Sequence, residues 1–207
     1  MKRLGKHVAF EGIDGAGKTS ISSKVFIRLR EERVPCYYTY EPTNSRIGSY
    51  IRLHLSKGRS LPPSFEALLY AADRVQHYYG EIRDYINRGY LVISDRYVYS
   101  SVAYQGAASG DVNWVSELNK TVPAPDLAIY LRISPRLALL RKSRKRRTVY
   151  EHESFLRKVV KIYDDLANKN LLVVVDASRP FDEVFEESYG LVKNFLTEHS
   201  PHLLRLS

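Results

Sequence analysis

Cysteine occurs only once, at Cys36, so the chain can form no internal disulfide and no cysteine-based metal site. No apolar run approaches the ~20 residues that a membrane-spanning helix needs. The opening MKRLGKHVAF is basic, but no apolar signal core or small-residue cleavage site follows it. These absences lead us to expect a soluble, cytoplasmic protein with no membrane partner. Internal repeats, low-complexity tracts and Pro/Gly/Ser-rich linkers are also missing, so 207 residues are expected to form one domain over the whole chain.

What the chain has in excess is positive charge, +9 overall. A basic surface can mean a nucleic-acid partner. Here the excess is local. The run RKSRKRR, residues 141 to 147, holds six of the 32 Lys and Arg, and without it 26 bases face 23 acids. No stable nucleic-acid partner is therefore expected, and the run needs another explanation.

Apolar strand-like runs alternate with helical periodicity. HVAFE (7–11), PCYYTY (35–40), YLVISD (90–95), DLAIYLRI (126–133) and LLVVVD (171–176) read as five strands. Helical patterns cover 17–33, 46–57, 151–169 and 180–197. A long helix is expected from Ser64, as its cap, to about Arg88, with Gly89 closing it. Alternation of this kind predicts an α/β fold: a five-stranded parallel sheet with helices on both faces, three layers in all. Ligands on such sheets bind at the carboxyl ends of the strands.

GIDGAGKT, residues 12 to 19, sits between the first strand and the first helix. It matches G-x-x-x-x-G-K-[ST] completely, in the strand–loop–helix context that this phosphate-binding loop requires. Glycines let backbone N–H groups turn inward, and the helix N-terminus adds partial positive charge. Gly12, Ile13, Asp14, Gly15, Ala16, Gly17, Lys18, Thr19 and Ser20 would then cradle the phosphates of a nucleoside triphosphate. Lys18 places a charge on the β- and γ-phosphates, and Thr19 offers a hydroxyl to Mg²⁺. Asp95, at the tip of the third strand, is placed to complete the Mg²⁺ shell. Arg96 beside it can clamp phosphate oxygens as their charge changes, or form a plain surface ion pair. The chain has no Asn-Lys-x-Asp guanine-reading motif, and no apolar run ends in Asp-Glu as in many ATPases. The loop alone does not say who receives the phosphate.

FEGIDGAGKT (10–19), EPT (41–43), YAADR (70–74), DRYVYSSVAYQ (95–105), PAPDLAIYL (123–131), YEHESF (150–155) and VDAS (175–178) together resemble the thymidylate kinase family, in the family's order and over nearly the whole chain. The resemblance implies a P-loop NTPase fold with a short mobile lid, a homodimer, and transfer of phosphate from ATP–Mg²⁺ to dTMP. By the same resemblance, Tyr70 stacks on thymine and Arg74 bonds its O4. Ser100, Ser101, Tyr104 and Gln105 read the base edge and pack on the deoxyribose, with Tyr104 crowding a ribose 2′-hydroxyl. Core packing for Tyr70, and an Arg74 ion pair with Asp73 or another acid, are the competing readings. Asp14 would accept a hydrogen bond from the acceptor's 3′-hydroxyl or help seat a cation. Glu41 and Pro42 fall on the acceptor side, and Pro42 could sit on a cis bond, although trans is commoner.

Two departures from the family pattern matter. Some members carry an Arg clamp where this chain has Gly15, and members without it supply charge from the lid. That accounts for RKSRKRR: Arg141, Arg144, Arg146 and Arg147 are candidates, with Arg144 and Arg147 taken as catalytic and Arg141 as an ATP contact. Tyr40 stands where bacterial members often have Arg, so Arg46 or Arg52 would take the acceptor phosphate. Arg179, after the fifth strand, falls where the family holds adenine, or in a plain turn. A related kinase acting on dUMP or on several deoxynucleotides is one alternative, and a nucleic-acid-stimulated ATPase is a remoter one.

Overall fold

A computed structural model of the chain describes residues 5–57, 61–141 and 152–204. Strands β1 (Lys6–Glu11), β2 (Cys36–Tyr40), β3 (Leu91–Asp95), β4 (Leu127–Arg132) and β5 (Val173–Asp176) form one sheet in the order β2-β3-β1-β4-β5. Every neighbouring pair is parallel. Between the strands run α1 (Lys18–Glu31), α2 (Arg46–Ser56), α3 (Pro63–His77), α4 (Arg83–Asn87), α5 (Val98–Ser109), α6 (Val112–Asn119), α7 (Pro135–Arg141) and α8 (Glu153–Asn168), and α9 (Phe181–His199) follows β5. The predicted α/β class and the five parallel strands are what is found.

Strand alternation divides the core. Val8 and Phe10 of β1 and Leu91 and Ile93 of β3 pack with Ile21, Val25 and Leu29 of α1. Ala9 of β1 and Val92 of β3 point the other way, against Ile82, Tyr97 and Val98. Coverage on both faces explains the continuous apolar runs of β1, β3 and β4, whereas edge strand β5 leaves Val173 and Val174 exposed.

Ser64 does not cap α3. The helix begins one residue earlier with Pro63 at its first position, where the missing N–H costs nothing. Nor is the long helix regular to its end. One turn, Tyr78–Ile82, is a π-helix, and α4 then continues to Asn87. Gly89 does close it, in the left-handed conformation. The Glu41–Pro42 bond is cis.

Because β1 lies between β3 and β4 while its own helix leads away to β2, the sheet's order reverses beside it. The loop after β1 therefore opens into a crevice at the carboxyl ends of β1 and β3, where ligands of such sheets bind.

Candidate active site

The phosphate loop lies between β1 and α1. Gly12 adopts φ 137°, and a Cβ there would come 2.7 Å from the Leu131 carbonyl oxygen. Gly15, at φ 87°, packs against the backbone of α7, where a Cβ would fall 2.3 Å from the Ala138 carbonyl oxygen. The absence of an Arg clamp at this position is thus built into the packing: α7 occupies the space such a side chain would leave through.

Lys18 is buried, and its Nζ donates to the Ile13 carbonyl at 2.8 Å. Burial, followed by the neighbouring charge of Arg96, lowers its pKa to about 8. Thr19 donates its hydroxyl hydrogen to Asp95 Oδ2. The other oxygen, Asp95 Oδ1, is buried and has no hydrogen-bond partner among the described residues. A hydroxyl and a carboxylate oxygen side by side at the mouth of a phosphate loop form a hard-oxygen donor set. This fits Mg²⁺ held by one or two protein groups together with phosphate and water.

Arg96 follows β3 with φ 74°, a left-handed conformation unfavourable for a residue with a Cβ. Its backbone N–H donates to the Phe10 carbonyl at 2.9 Å, which holds it there. Strain of this kind clusters at functional sites. The guanidinium pairs with Asp14 Oδ1 and donates to Gly12 O at 3.2 Å and Ser100 Oγ at 3.0 Å. Burial opposes its charge, but Asp14 first, with Tyr104, Tyr163 and Asp95 beside it, together hold the pKa well above the ordinary arginine value. Beneath it, Ser100 donates to the buried carboxylate of Glu11 at 2.5 Å. Glu11 also accepts the Tyr97 N–H at 3.0 Å and the Tyr163 hydroxyl at 3.3 Å. Glu11 thus fixes Ser100, and Ser100 helps aim Arg96.

Two cavities meet at this pair. The first, about 590 Å³, is lined by the loop from Asp14 to Ser20 together with Asp95, Arg96, Arg141 and Arg179. Arg141 donates to the Ala177 and Ser178 carbonyls, at 2.7 and 3.3 Å, and Arg179 pairs with Glu187. The second, about 210 Å³, is lined by Glu41, Pro42, Tyr70, Arg74, Ser101, Tyr104 and Gln105, with Leu55 as an apolar wall. Asp14 and Arg96 line both.

Arg74 is almost fully buried and pairs with Glu41, not Asp73. Its five N–H donors are all used. Nε and Nη2 reach Glu41 Oε2 at 2.9 and 2.7 Å, Nη2 also reaches the Tyr97 carbonyl at 3.2 Å, and Nη1 meets Ser101 Oγ at 3.0 Å and Asn119 Oδ1. Asp73 instead anchors the loop after β2, accepting from Thr43 N–H, Thr43 Oγ1 and Ser45 Oγ. Tyr104 Oη accepts the Asp14 N–H at 3.0 Å, so the wall of the second cavity also braces the phosphate loop.

Not every expected residue enters the cavities. Arg46 is exposed at the start of α2 and lines neither. Arg52 donates to the Pro42 and Thr43 carbonyls and so staples the turn rather than facing the cavity. Arg144, Arg146 and Arg147 fall outside the described residues. Leu55, Asn119 and Glu11 were missed. A Glu before a glycine loop and an Asn in a short amphipathic helix carry no local signal of the partner that each one meets.

A phosphate loop whose Lys, Thr and strand-tip Asp converge in this way places the protein among the P-loop nucleotide-binding proteins. The thymidylate kinase family model matches residues 10–188. A probable thymidylate kinase of Pyrobaculum aerophilum is 44% identical over 188 residues, covering 90% of this chain and 95% of that protein. A thymidylate kinase of Ligilactobacillus salivarius is 38% identical over 206 residues, covering 93% and 99%. The chain belongs to the thymidylate kinase family. In three dimensions it is similar to a thymidylate kinase from Candida albicans, with a TM-score of 0.78 over 92% of each chain at 23% identity.

Proposed function

We infer that this chain phosphorylates dTMP to dTDP, moving the γ-phosphoryl group of ATP to the acceptor's 5′-phosphate. The observation that carries the reading is the shared Asp14–Arg96 boundary: the phosphate-loop cavity and the smaller, partly apolar cavity both have these two residues in their walls. ATP fills the larger cavity, with its phosphates on Gly12 to Ser20 and its adenosine end toward Arg141 and Arg179. The nucleotide base enters the smaller one beside Tyr70, Arg74, Ser101 and Gln105.

The acceptor is an anion already, so no strong general base is required, and positioning and charge neutralisation do most of the work. Lys18 and Arg96 approach the transferring group from the loop and from β3. Asp14 would keep Arg96 oriented until the phosphates arrive and would accept a hydrogen bond from the acceptor sugar's 3′-hydroxyl. Arg144 and Arg147 are proposed to add charge from the 141–147 run. Thr19 and Asp95 would hold Mg²⁺, which supplies charge neutralisation on the donor phosphates. In the base pocket Arg74 has no spare donor. A thymine O4 must therefore share an Nη1 hydrogen with Ser101 or take the Ser101 hydroxyl hydrogen, while Gln105 is free to offer both a donor and an acceptor. Tyr104, tied to the Asp14 N–H, is a stiff wall beside the sugar and so favours deoxyribose.

The acceptor phosphate is left to Arg96, with Arg46 as an outer contact. Exposed Tyr50 and Leu53 on α2 and Phe65 and Leu68 on α3 support a homodimer through that face. No helix among the described residues is long and apolar enough to cross a membrane, in keeping with a cytoplasmic enzyme. Chromatography of a reaction with ATP, Mg²⁺ and dTMP should yield dTDP and ADP in equal amounts. ADP and free phosphate without dTDP would refute the transfer.

A further inference from the structure

Behind the base pocket lies a buried polar cluster that the phosphoryl transfer does not use. His77, at the end of α3, is buried. Its Nδ1 lies 3.0 Å from Glu41 Oε1, and its Nε2 lies 2.7 Å from Thr39 Oγ1 and 3.8 Å from Glu81 Oε1. Thr39 donates its hydroxyl hydrogen to Glu81 at 3.1 Å, so its oxygen is left to accept from Nε2. Glu41, whose other oxygen carries Arg74, faces Nδ1 as an acceptor. Both ring nitrogens therefore face acceptors.

The two acids come to the ring from different elements. Glu41 arrives on the loop after β2. Glu81 arrives from the π-turn that follows His77, and Tyr37 of β2 also donates to it at 2.6 Å. π-turns are rare and frequently found at functional sites. Here it brings Glu81 back over the sheet. Within the cluster Arg74 faces the two carboxylates of Glu41 and Glu81, so a charged His77 would balance them. Around the cluster stand the titratable groups Tyr37, whose pKa burial raises, Tyr97, raised likewise by burial, and His7 of β1. Burial, and then the charge of His77, lower the His7 pKa to about 3, so His7 is neutral and adds no charge.

We propose that His77 is a positioning residue of the acceptor site: as a doubly protonated imidazolium joining Glu41 to the Thr39–Glu81 pair, it holds Glu41 against Arg74 and so fixes the guanidinium at the floor of the base pocket. The proposal rests on reading that pocket as the nucleotide-base site. Its logic is geometric. Glu41 has two oxygens: Arg74 takes Oε2, and His77 takes Oε1. Without the second cation the carboxylate can rotate, and Arg74 Nη1 moves with it, away from Ser101. The same arrangement favours the charged ring: burial opposes the charge, but the hydrogen bond to Glu41 and the negative charges of Glu41 and nearby Glu81 together outweigh it and raise the pKa to about 9.

The experiment has two arms on the full chain. In the first, two-bond ¹H–¹⁵N spectra of ¹⁵N-histidine protein are recorded from pH 6 to 10 without nucleotide, with His77→Asn assigning the resonance. Both nitrogens of His77 should be protonated at pH 8. A neutral ring at that pH overturns the charged bridge, whatever the enzyme's substrate proves to be. In the second, His77→Asn keeps a donor toward Glu41, whereas His77→Gln keeps one only toward Thr39. The KM for dTMP should rise about tenfold in His77→Gln, the scale for losing a group that orients a contacting residue, and clearly less in His77→Asn. The KM for ATP should stay put. An unchanged dTMP KM in both variants, or an equal rise for ATP, overturns the positioning role. Should His77→Gln fail to fold, Glu81→Gln at the rim takes its place: the His77 titration must move down and the dTMP KM up, and a dTMP KM that stays put overturns the proposal. A wild-type enzyme that releases no ADP with dTMP removes the functional reading itself, and the spectra still decide the imidazolium.

Discussion

Replacing Arg96 separates its charge from its backbone. The side chain makes an ion pair with Asp14 and two hydrogen bonds, at 3.0 and 3.2 Å, from a position that is 17% exposed. An electrostatic group of this kind at a transferring phosphoryl is worth about 10²–10³ in kcat, or about 3–4 kcal/mol of barrier. Arg96→Ala should therefore lose at least about 10²-fold in turnover. Arg96→Lys keeps one charge but cannot reach Asp14, Gly12 and Ser100 together, and should recover only part of the loss. The backbone adds a second, independent expectation. At φ 74° any residue with a Cβ is disfavoured by about 1–2 kcal/mol, and glycine is not. Arg96→Gly should thus be as inactive as Arg96→Ala yet melt higher, by about 2–4 °C per kcal/mol for a chain of this size. Coupled ADP release and thermal melts measure both. Turnover of Arg96→Ala within about threefold of wild type, far short of the loss expected for such a group, would remove Arg96 from the mechanism. Equal melting of the Gly and Ala variants would remove the strain.

Four further outcomes follow from the same geometry. In the free enzyme Lys18 loses its proton near pH 8, so kcat/KM for ATP should fall above that pH, while kcat at saturating ATP, with the phosphates holding the charge, should fall only at higher pH; coincident profiles would contradict the assignment. Asp95→Asn should raise the Mg²⁺ concentration needed for half-maximal rate by about tenfold or more, because it replaces the unpaired carboxylate oxygen by an amide; an unchanged Mg²⁺ titration would contradict it. Gly15→Arg should lower the melting temperature and weaken ATP binding, since its Cβ meets the Ala138 carbonyl; unchanged melting would mean that α7 yields freely. Glu11→Gln puts an amide where Ser100 and Tyr163 both donate, and turnover should fall about tenfold with the dTMP KM little changed; normal turnover would show that Ser100 needs no such anchor.

The strands, the phosphate loop and the acid–arginine pair after β3 were legible because each is local. A five-residue apolar run, a glycine pattern and a strand tip say what they are within ten residues. Pairing across the fold was not legible. Arg74 finds Glu41 and Asn119, 33 and 45 residues away, and nothing in YAADR distinguishes those partners from the adjacent Asp73. Arg52 reads as a free cation until the turn it staples is seen. Ser64 looked like a cap because serine often is one, but Pro63 already starts the helix. The π-turn at Tyr78–Ile82 breaks no apolar period, since Ile82 still reaches the core, so only the hydrogen bonds of the folded helix reveal it.

ADP release with ATP and Mg²⁺ tests the central claim most directly, comparing dTMP, dUMP, the thymine ribonucleotide, dCMP, dGMP and no acceptor. The account predicts release that depends on dTMP, weakens when ribose replaces deoxyribose beside Tyr104, and is slow when no acceptor closes the second cavity. Release at the same rate with every acceptor and with none would contradict it, and would mean that the two cavities meeting at Asp14 and Arg96 do not exchange a phosphoryl group.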